Sequence, residues 1–402
     1  MKIYFFTSGS APLPAVRGGG VENLIMALAI SNEKYRKAEM EIYSIYDSDA
    51  QSVAKQYTYT GFNYIKIGRI TKIIDKLIWK ISNGFLKCNT ILLKNLIQRF
   101  LIIIHTHKII KKIVKNEDEG IIVIEHSMLL LHALFGIKKR KNRIYFHAHN
   151  NIEHQYKWLT KIVNELDGVI SVSSYLRDSN IQLRDGCDRQ IVLMNAIDIE
   201  RFSNKNVDMA KLDALKNRYN SKNKKIILFV GRIDEQKGLL EVIRAFKRLN
   251  RDDVKLLIVG SVFYQKNVHS KYELQVYNEA KEGDIEFTGY VDYKDIPLYY
   301  KMAYVSVLPS KWEEPAGLVM IESLACGTPI ITTKQGGIPE YVRDYARYIC
   351  VDKKMEIQIE EKLCDILDED IDEYNFECNQ IKNVAKKFDL DNFYQAFFAI
   401  FT

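Results

Sequence analysis

Two series of short apolar runs, each run followed by a stretch with helical apolar spacing, limit this chain more than any single motif. The first series opens at residues 1–7 and continues at 41–45, 121–124, 143–147, 168–172 and 190–194; the second occupies 226–230, 255–259, 284–287, 305–308 and 329–332. A parallel strand is buried on both faces and needs a crossover, usually a helix, to reach its neighbour. Strand runs that alternate with helical patterns therefore predict a parallel sheet. Two such series in 402 residues predict two doubly wound α/β domains of ordinary size in tandem. The first is placed at 1–200 and the second at 223–388, with a polar linker and short helix over 203–225. The aromatic-rich tail 389–402 predicts a final helix.

Hydrophobic content of 47% with 27% charged residues is that of a globular chain. The six cysteines, Cys88, Cys187, Cys326, Cys350, Cys364 and Cys378, form no CxxC pair and have no metal-ligand spacing. They read as reduced thiols of a cytoplasmic protein. The opening residues are punctuated too quickly for a signal peptide, and no apolar run approaches the ~18–20 residues that span a bilayer. The net charge of +7 is uneven. Between Lys66 and Lys115 stand twelve basic residues and one acid, Asp75, so this segment carries +11 and the rest of the chain −4. So local an excess argues against a nucleic-acid-binding surface. Interleaved with Ile, Leu, Trp79 and Phe85, residues 66–115 predict one or two amphipathic helices. These either dock peripherally on an anionic membrane or pack on the sheet with a basic outer face.

The richest local pattern lies at 310–327. Glu314 and Glu322 have seven residues between them, including Pro315 and Gly317, and the apolar stretch Leu318-Val319-Met320-Ile321 leads on to Gly327 and Pro329. This punctuation predicts a loop, a short helix and a stop, with Glu314 ahead of the helix and Glu322 one turn inside it. Both carboxylates can then face a ligand at a helix N-terminus, where free N–H groups favour anions. Upstream, the run 226–230 ends in Gly231-Arg232-Ile233-Asp234-Glu235-Gln236-Lys237-Gly238. Arg232 offers a planar donor fork and Lys237 a mobile point charge, a pair suited to a diphosphate.

These residues resemble the signature of retaining glycosyltransferase family four, whose GT-B fold sets two Rossmann-like domains across a cleft. Glu314-Pro315-Ala316-Gly317, four residues, then Glu322 is similar to that family's E-x7-E motif, with Ala316 where Phe is usual. Gly231-Arg232 with Lys237-Gly238 is similar to its phosphate-binding pair. Gly260, Gly289-Tyr290-Val291 and Gly336-Gly337-Ile338-Pro339-Glu340 follow in the family's order, so the resemblance is continuous over 223–345. It implies catalytic roles for Glu314, Arg232 and Lys237. Arg232 and Lys237 would bind the donor diphosphate, Glu322 the ribose hydroxyls and Glu314 the sugar ring. Gly231, Gly317, Leu318 and Val319 would add backbone contacts to the donor, and Gly289 and Tyr290 would lie beside the base.

In the first domain, Gly18-Gly19-Gly20-Val21-Glu22 lacks the GxGxxG spacing of a dinucleotide fold. It resembles the family's Gly-Gly-x-Glu loop, which implies Gly19 and Gly20 at the donor diphosphate and Gly18 on the acceptor side. The run 143–147 leads into His147-Ala148-His149, at the strand end where open α/β sheets bind ligands. The family has a sugar-contacting histidine here; His147 is the expected catalytic contact, with His149 second, on the acceptor side. Asp47-Ser48-Asp49 fits a DxD metal motif in spacing but has no supporting partner.

The resemblance implies a retaining transferase that needs no metal or cofactor. It would move a sugar from a nucleotide-diphosphate donor, a UDP-sugar by expectation, to a glycan or lipid-linked acceptor in surface-polysaccharide or spore-coat synthesis. Negative charge grows on the diphosphate as the glycosidic bond breaks, and fixed cations stabilise it. Two other readings stay open. One is a nucleotide-sugar epimerase of the same fold, which lacks the paired motifs. The other is a non-catalytic partner subunit that binds nucleotide sugar or glycan.

Overall fold

The structure is a computed structural model. It describes residues 1–85, 95–116, 119–137, 141–152, 156–203, 208–219, 223–260 and 270–402; Lys87, Cys88 and Lys94 of the sequence reading lie outside these. The chain divides into two compact units, Met1–Met194 with Phe393–Thr402, and Asn195–Asn392. The second unit starts at Asn195, where the sequence reading ran the first domain to 200.

The first unit is a seven-stranded parallel sheet. Its strands are β1 (Lys2–Phe6), β2 (Glu39–Ile45), β3 (Thr60–Ile65), β4 (Ile121–Glu125), β5 (Arg143–Ala148), β6 (Gly168–Ser171) and β7 (Gln190–Val192), in the order β3-β2-β1-β4-β5-β6-β7. All five residues of β4 are buried, as expected of a central parallel strand. β3 was not among the expected runs: it sits at the sheet edge, is mostly half-buried, and carries Gly61 and Asn63. The final helix, Leu390–Ala399, lays Phe397 on Phe5 with ring centroids 5.7 Å apart. Arg143 donates to the Phe401 carbonyl at 2.7 Å, and Arg189 donates to that of Ile400.

The basic segment forms two helices, Arg69–Phe85 and Leu96–Lys115. The second turns Ile102, Thr106, Ile110 and Ile113 inward at helical spacing, so its apolar face is core. The first helix does the reverse. Ile70, Ile73, Ile74, Leu77 and Ile81 fall on one stripe and are 41–74% exposed. Asp75 is buried on the other side and caps the second helix, accepting from Ile97 N at 2.9 Å and Gln98 N at 3.0 Å. Among the described residues no helix is long and apolar enough to cross a membrane.

The second unit has six parallel strands, β8 (Lys225–Val230), β9 (Val254–Val259), β10 (Ile285–Gly289), β11 (Val305–Leu308), β12 (Ile330–Thr333) and β13 (Ala346–Ile349), ordered β10-β9-β8-β11-β12-β13. Its core joins Ile227, Phe229, Leu256 and Ile258 of the sheet to Val242 and Phe246 of helix Leu239–Leu249 and to Ile359 and Leu363 of helix Met355–Leu367. β13, also unforeseen, is another edge strand with an Arg and a Tyr in its four residues. In both sheets the strand order reverses once, between β1 and β4 and between β8 and β11. An open α/β sheet binds ligands at such a point, beyond the strand C-termini.

Candidate active site

In the second unit, the loops that follow β8 and β11 carry the residues named from sequence. After β8, Asp234 caps a turn over Glu235–Lys237 by accepting from Gln236 N at 2.9 Å. The Arg232 guanidinium lies 3.5 Å from Asp234. Lys237 pairs with the Glu314 carboxylate, which also accepts from Ser310 Oγ at 2.9 Å. The backbone ties the two loops as well, Lys311 N donating to Gln236 O at 2.7 Å. Two separate motifs assigned Lys237 to the diphosphate and Glu314 to the sugar ring; the fold sets them side by side.

A glycine turn holds the Glu314 loop from behind. Gly336 N donates to Glu313 Oε2 at 2.6 Å and Gly337 N to the Glu314 carbonyl at 2.6 Å. Gly336 has φ +61°, and a Cβ there would meet the Glu314 carbonyl oxygen at 2.3 Å and its nitrogen at 2.6 Å. Both the backbone conformation and the space demand glycine. Gly317 then starts helix Leu318–Cys326, and no side chain caps it. The positive end of such a helix favours an anion.

Glu322 lies one turn into this helix and is buried. Burial raises its carboxyl to about 7, against the opposing hydroxyls of Tyr293 and Tyr300. Tyr300 Oη lies 3.2 Å from Glu322 Oε2. Such a carboxyl both accepts from and donates to hydroxyl groups near neutral pH. Gly289, with φ +73°, ends β10, and Tyr290 after it is 78% exposed.

In the first unit, the chain after β1 reaches Gly18 and Gly19, and Gly20 opens helix Gly20–Tyr35. Gly19 has φ +121°, and a Cβ there would lie 2.1 Å from Glu22 Oε2, so the carboxylate folds back over bare backbone. Burial raises the Glu22 pKa, and the Glu125 charge adds to the effect. Glu125 ends β4 in register with His147 of β5. Its carboxylate lies 3.2 Å from His147 Nδ1 and 3.1 Å from His149 Nε2. Burial alone would raise Glu125, but the charge and N–H groups of His147 and the bond from His149 overcome it and hold the carboxyl down at about 2. His149 is pushed down to about 4, first by burial and then by the neighbouring His147 charge.

The two histidines have different surroundings. His147 is 2% exposed, and its Nε2 is buried with no hydrogen-bond partner among the described residues. His149 instead lines a cavity of about 240 Å³ with His126, Met128, Asn150, Ile152 and Tyr156. His149 is also buried, but it stands just beyond β5, past the sheet's last paired position, where it lines this cavity. Among the described residues, Glu125, His147 and His149 are close enough to hold a metal ion, with ligand atoms within 4.8 Å of one another. The atoms that face Glu125 already serve its hydrogen bonds. Asp47 and Asp49 are otherwise engaged: Asp47 caps helix Ser48–Ala54, and both carboxylates hold Arg17, at 3.1 and 2.8 Å.

Sequence reasoning missed Glu125, His126, Tyr293 and Tyr300. The same strand-end argument that singled out His147 would have found Glu125 and His126, which directly follow the apolar run 121–124. Nothing local marks the tyrosines, which meet Glu322 only through the packing of helix Ile296–Met302 and the loop before it.

Residues 213–388 match the family described as glycosyl transferases group 1. The spore coat protein SA of Bacillus subtilis is 23% identical over 91% of this chain and 90% of its own length. A lipopolysaccharide 1,2-N-acetylglucosaminetransferase of Salmonella typhimurium is 27% identical over 58% of this chain and 59% of its own. Among solved structures, Anabaena HepE in complex with UDP superposes with a TM-score of 0.70 at 17% identity, covering 100% of this chain and 99% of that one.

Proposed function

Because this chain carries a glycosyl transferases group 1 domain and has the GT-B fold, it is a glycosyltransferase, and from that premise we propose a retaining, metal-independent enzyme that uses a UDP-sugar. The observation that carries this reading is the pairing of Lys237 with Glu314 just ahead of the uncapped start of helix Leu318–Cys326, with Arg232 on the same loop as Lys237. Arg232 and Lys237 take the diphosphate, aided by the backbone at Gly231 and Gly317 to Val319. As phosphate arrives, Lys237 passes from Glu314 to the donor, and Glu314 is freed for a sugar hydroxyl. Glu322 takes the ribose. Fixed cations stabilise the charge that grows on the leaving diphosphate, the role a metal fills elsewhere. In a retaining reaction the acceptor attacks from the leaving-group face, so a departing phosphate oxygen can take its proton. Gly19 and Gly20 of the first unit add backbone contacts to the diphosphate, and Gly18 and His149 serve the acceptor side.

The base assignment follows HepE, solved with UDP and with UDP-glucose. The acceptor is a surface glycan or its lipid-linked precursor, by likeness to the spore-coat and lipopolysaccharide proteins. Helix Arg69–Phe85 supports a membrane-bound acceptor. Lys72, Lys76 and Lys80 form a row beside its exposed apolar stripe, and its one acid, Asp75, is withdrawn into the fold. Each cation held near an anionic leaflet is worth about 1 kcal/mol.

The test is nucleoside diphosphate release from a panel of nucleotide sugars in EDTA, comparing wild type with Arg232→Ala, with product anomers read by NMR. Release from a uridine donor that survives EDTA and is lost in the variant supports the proposal. A metal requirement, an inverted anomer, or epimerised donor would each overturn it.

A further inference from the structure

The buried cluster in the first unit goes further than the histidine assignment itself. An ionised carboxylate has no proton and only accepts hydrogen bonds. Glu125 faces two imidazole nitrogens, His147 Nδ1 and His149 Nε2, at 3.2 and 3.1 Å. Each of those nitrogens must therefore carry a proton. A neutral imidazole has one N–H and one lone pair, so fixing the proton on one nitrogen fixes the lone pair on the other. For His149 the proton stands on Nε2 and the lone pair on Nδ1. Among the described residues no hydrogen bond occupies that Nδ1, and the ring forms part of the cavity wall.

We infer that Glu125 is a positioning residue that locks His149 as its Nε2–H tautomer, so that the cavity is offered a hydrogen-bond acceptor for a hydroxyl-bearing ligand, a sugar hydroxyl in the reading above. The surroundings fit this role. The Asn150 amide lies 3.1 Å from His126 Nε2, and the His126 ring meets that of His149 edge-on with centroids 5.6 Å apart. His126 has φ +56°, a conformation that costs energy outside glycine and is kept where the surroundings enforce it. The polar groups around His149 are thus fixed before any ligand binds. A ligand hydroxyl can donate to Nδ1; an ether or fluorine at the same place cannot.

The tautomer can be read without turnover, in the full chain with ¹⁵N-labelled histidine, which keeps its failure separate from failure of the transferase reading. The expected result in wild type at neutral pH is a neutral His149 with a protonated Nε2 and a bare Nδ1. In Glu125→Gln one of the two acceptor oxygens becomes an N–H donor and the negative charge is lost, so the His149 signature should shift. Nucleoside diphosphate release should fall ~10–100-fold, the usual effect of losing a hydrogen bond to a charged group. Glu125→Asp keeps the carboxylate and should retain the Nε2–H signature. The inference is overturned if wild-type His149 is an imidazolium or the Nδ1–H tautomer, or if Glu125→Gln leaves both signature and rate unchanged. If Glu125→Gln fails to fold, the wild-type spectrum and Glu125→Asp decide alone.

Discussion

Glu125 in the first unit and Glu322 in the second are both buried near the reversal point of their sheet, and the two are driven in opposite directions. Glu125 is held down at about 2 and Glu322 is raised to about 7. Burial pushes both the same way, because a low dielectric penalises the charged form. The partners make the difference. Glu125 faces two imidazoles, which supply N–H donors and, from His147, charge, whereas Glu322 faces two phenols, which supply hydrogen bonds alone. The first arrangement fixes an anion in the fold; the second leaves a carboxyl whose proton is exchanged near neutral pH. A buried carboxylate is therefore defined by the donors around it more than by its depth.

The largest effect expected is at the second unit, where the chemistry rests on charge. Arg232→Ala should lower nucleoside diphosphate release by ~10²–10³, the range for loss of one donor to a developing anion. A loss no greater than that of Glu125→Gln would break the contrast, since both units would then act by positioning. Next is Gly336→Ala, which must strain a left-handed turn and displace the Glu314 backbone. We expect ~1–3 kcal/mol of destabilisation in urea unfolding, with a lower rate in the protein that remains folded.

The opposite shifts sharpen the comparison directly. For Glu125 the folded value lies below the usual 4.5, so its contribution to stability is complete above pH 4.5 and is lost as pH falls towards 2. For Glu322 the folded value lies above 4.5, so its contribution is complete below pH 4.5 and is lost as pH rises through 7. Melting curves of Glu322→Gln against wild type should therefore shift in favour of the variant between pH 4.5 and 7. A constant difference across that range would remove the contrast. The smallest effect on the fold is expected at helix Arg69–Phe85. Changing Ile73 and Leu77 to Ser should alter stability by no more than about 0.5 kcal/mol, as exposed positions do, yet abolish sedimentation with vesicles rich in anionic lipid. Binding that persists, or that is equal on neutral vesicles, would reject the membrane contact.

Much of the second unit was legible because its site is built from short loops. Arg232, Lys237 and Glu314 each lie within a few residues of a strand end, and glycine and proline punctuate the turns around them. β3 and β13 were not legible: edge strands are covered on fewer sides, so they carry polar residues that dilute the apolar run. The Glu125 cluster escaped for another reason. Its hydrogen bonds join residues 22 and 24 positions apart across two parallel strands, a contact set by sheet order and register. His147 and His149 differ in sequence only by position, and which ring turns to the cavity is decided by where pairing along β5 ends. The basic segment was likewise ambiguous until one of its helices buried its apolar face and the other left it exposed.

The return of Phe393–Thr402 to the first unit has a consequence for synthesis. A ribosome releases residues 1–194 long before it makes the ring that stacks on Phe5 or the carbonyls that receive Arg143 and Arg189. The earlier-made unit must wait, incompletely sealed, while the whole of the later one emerges. Vectorial translation thus inverts the expected schedule, and the half that is translated second is the half that can finish first.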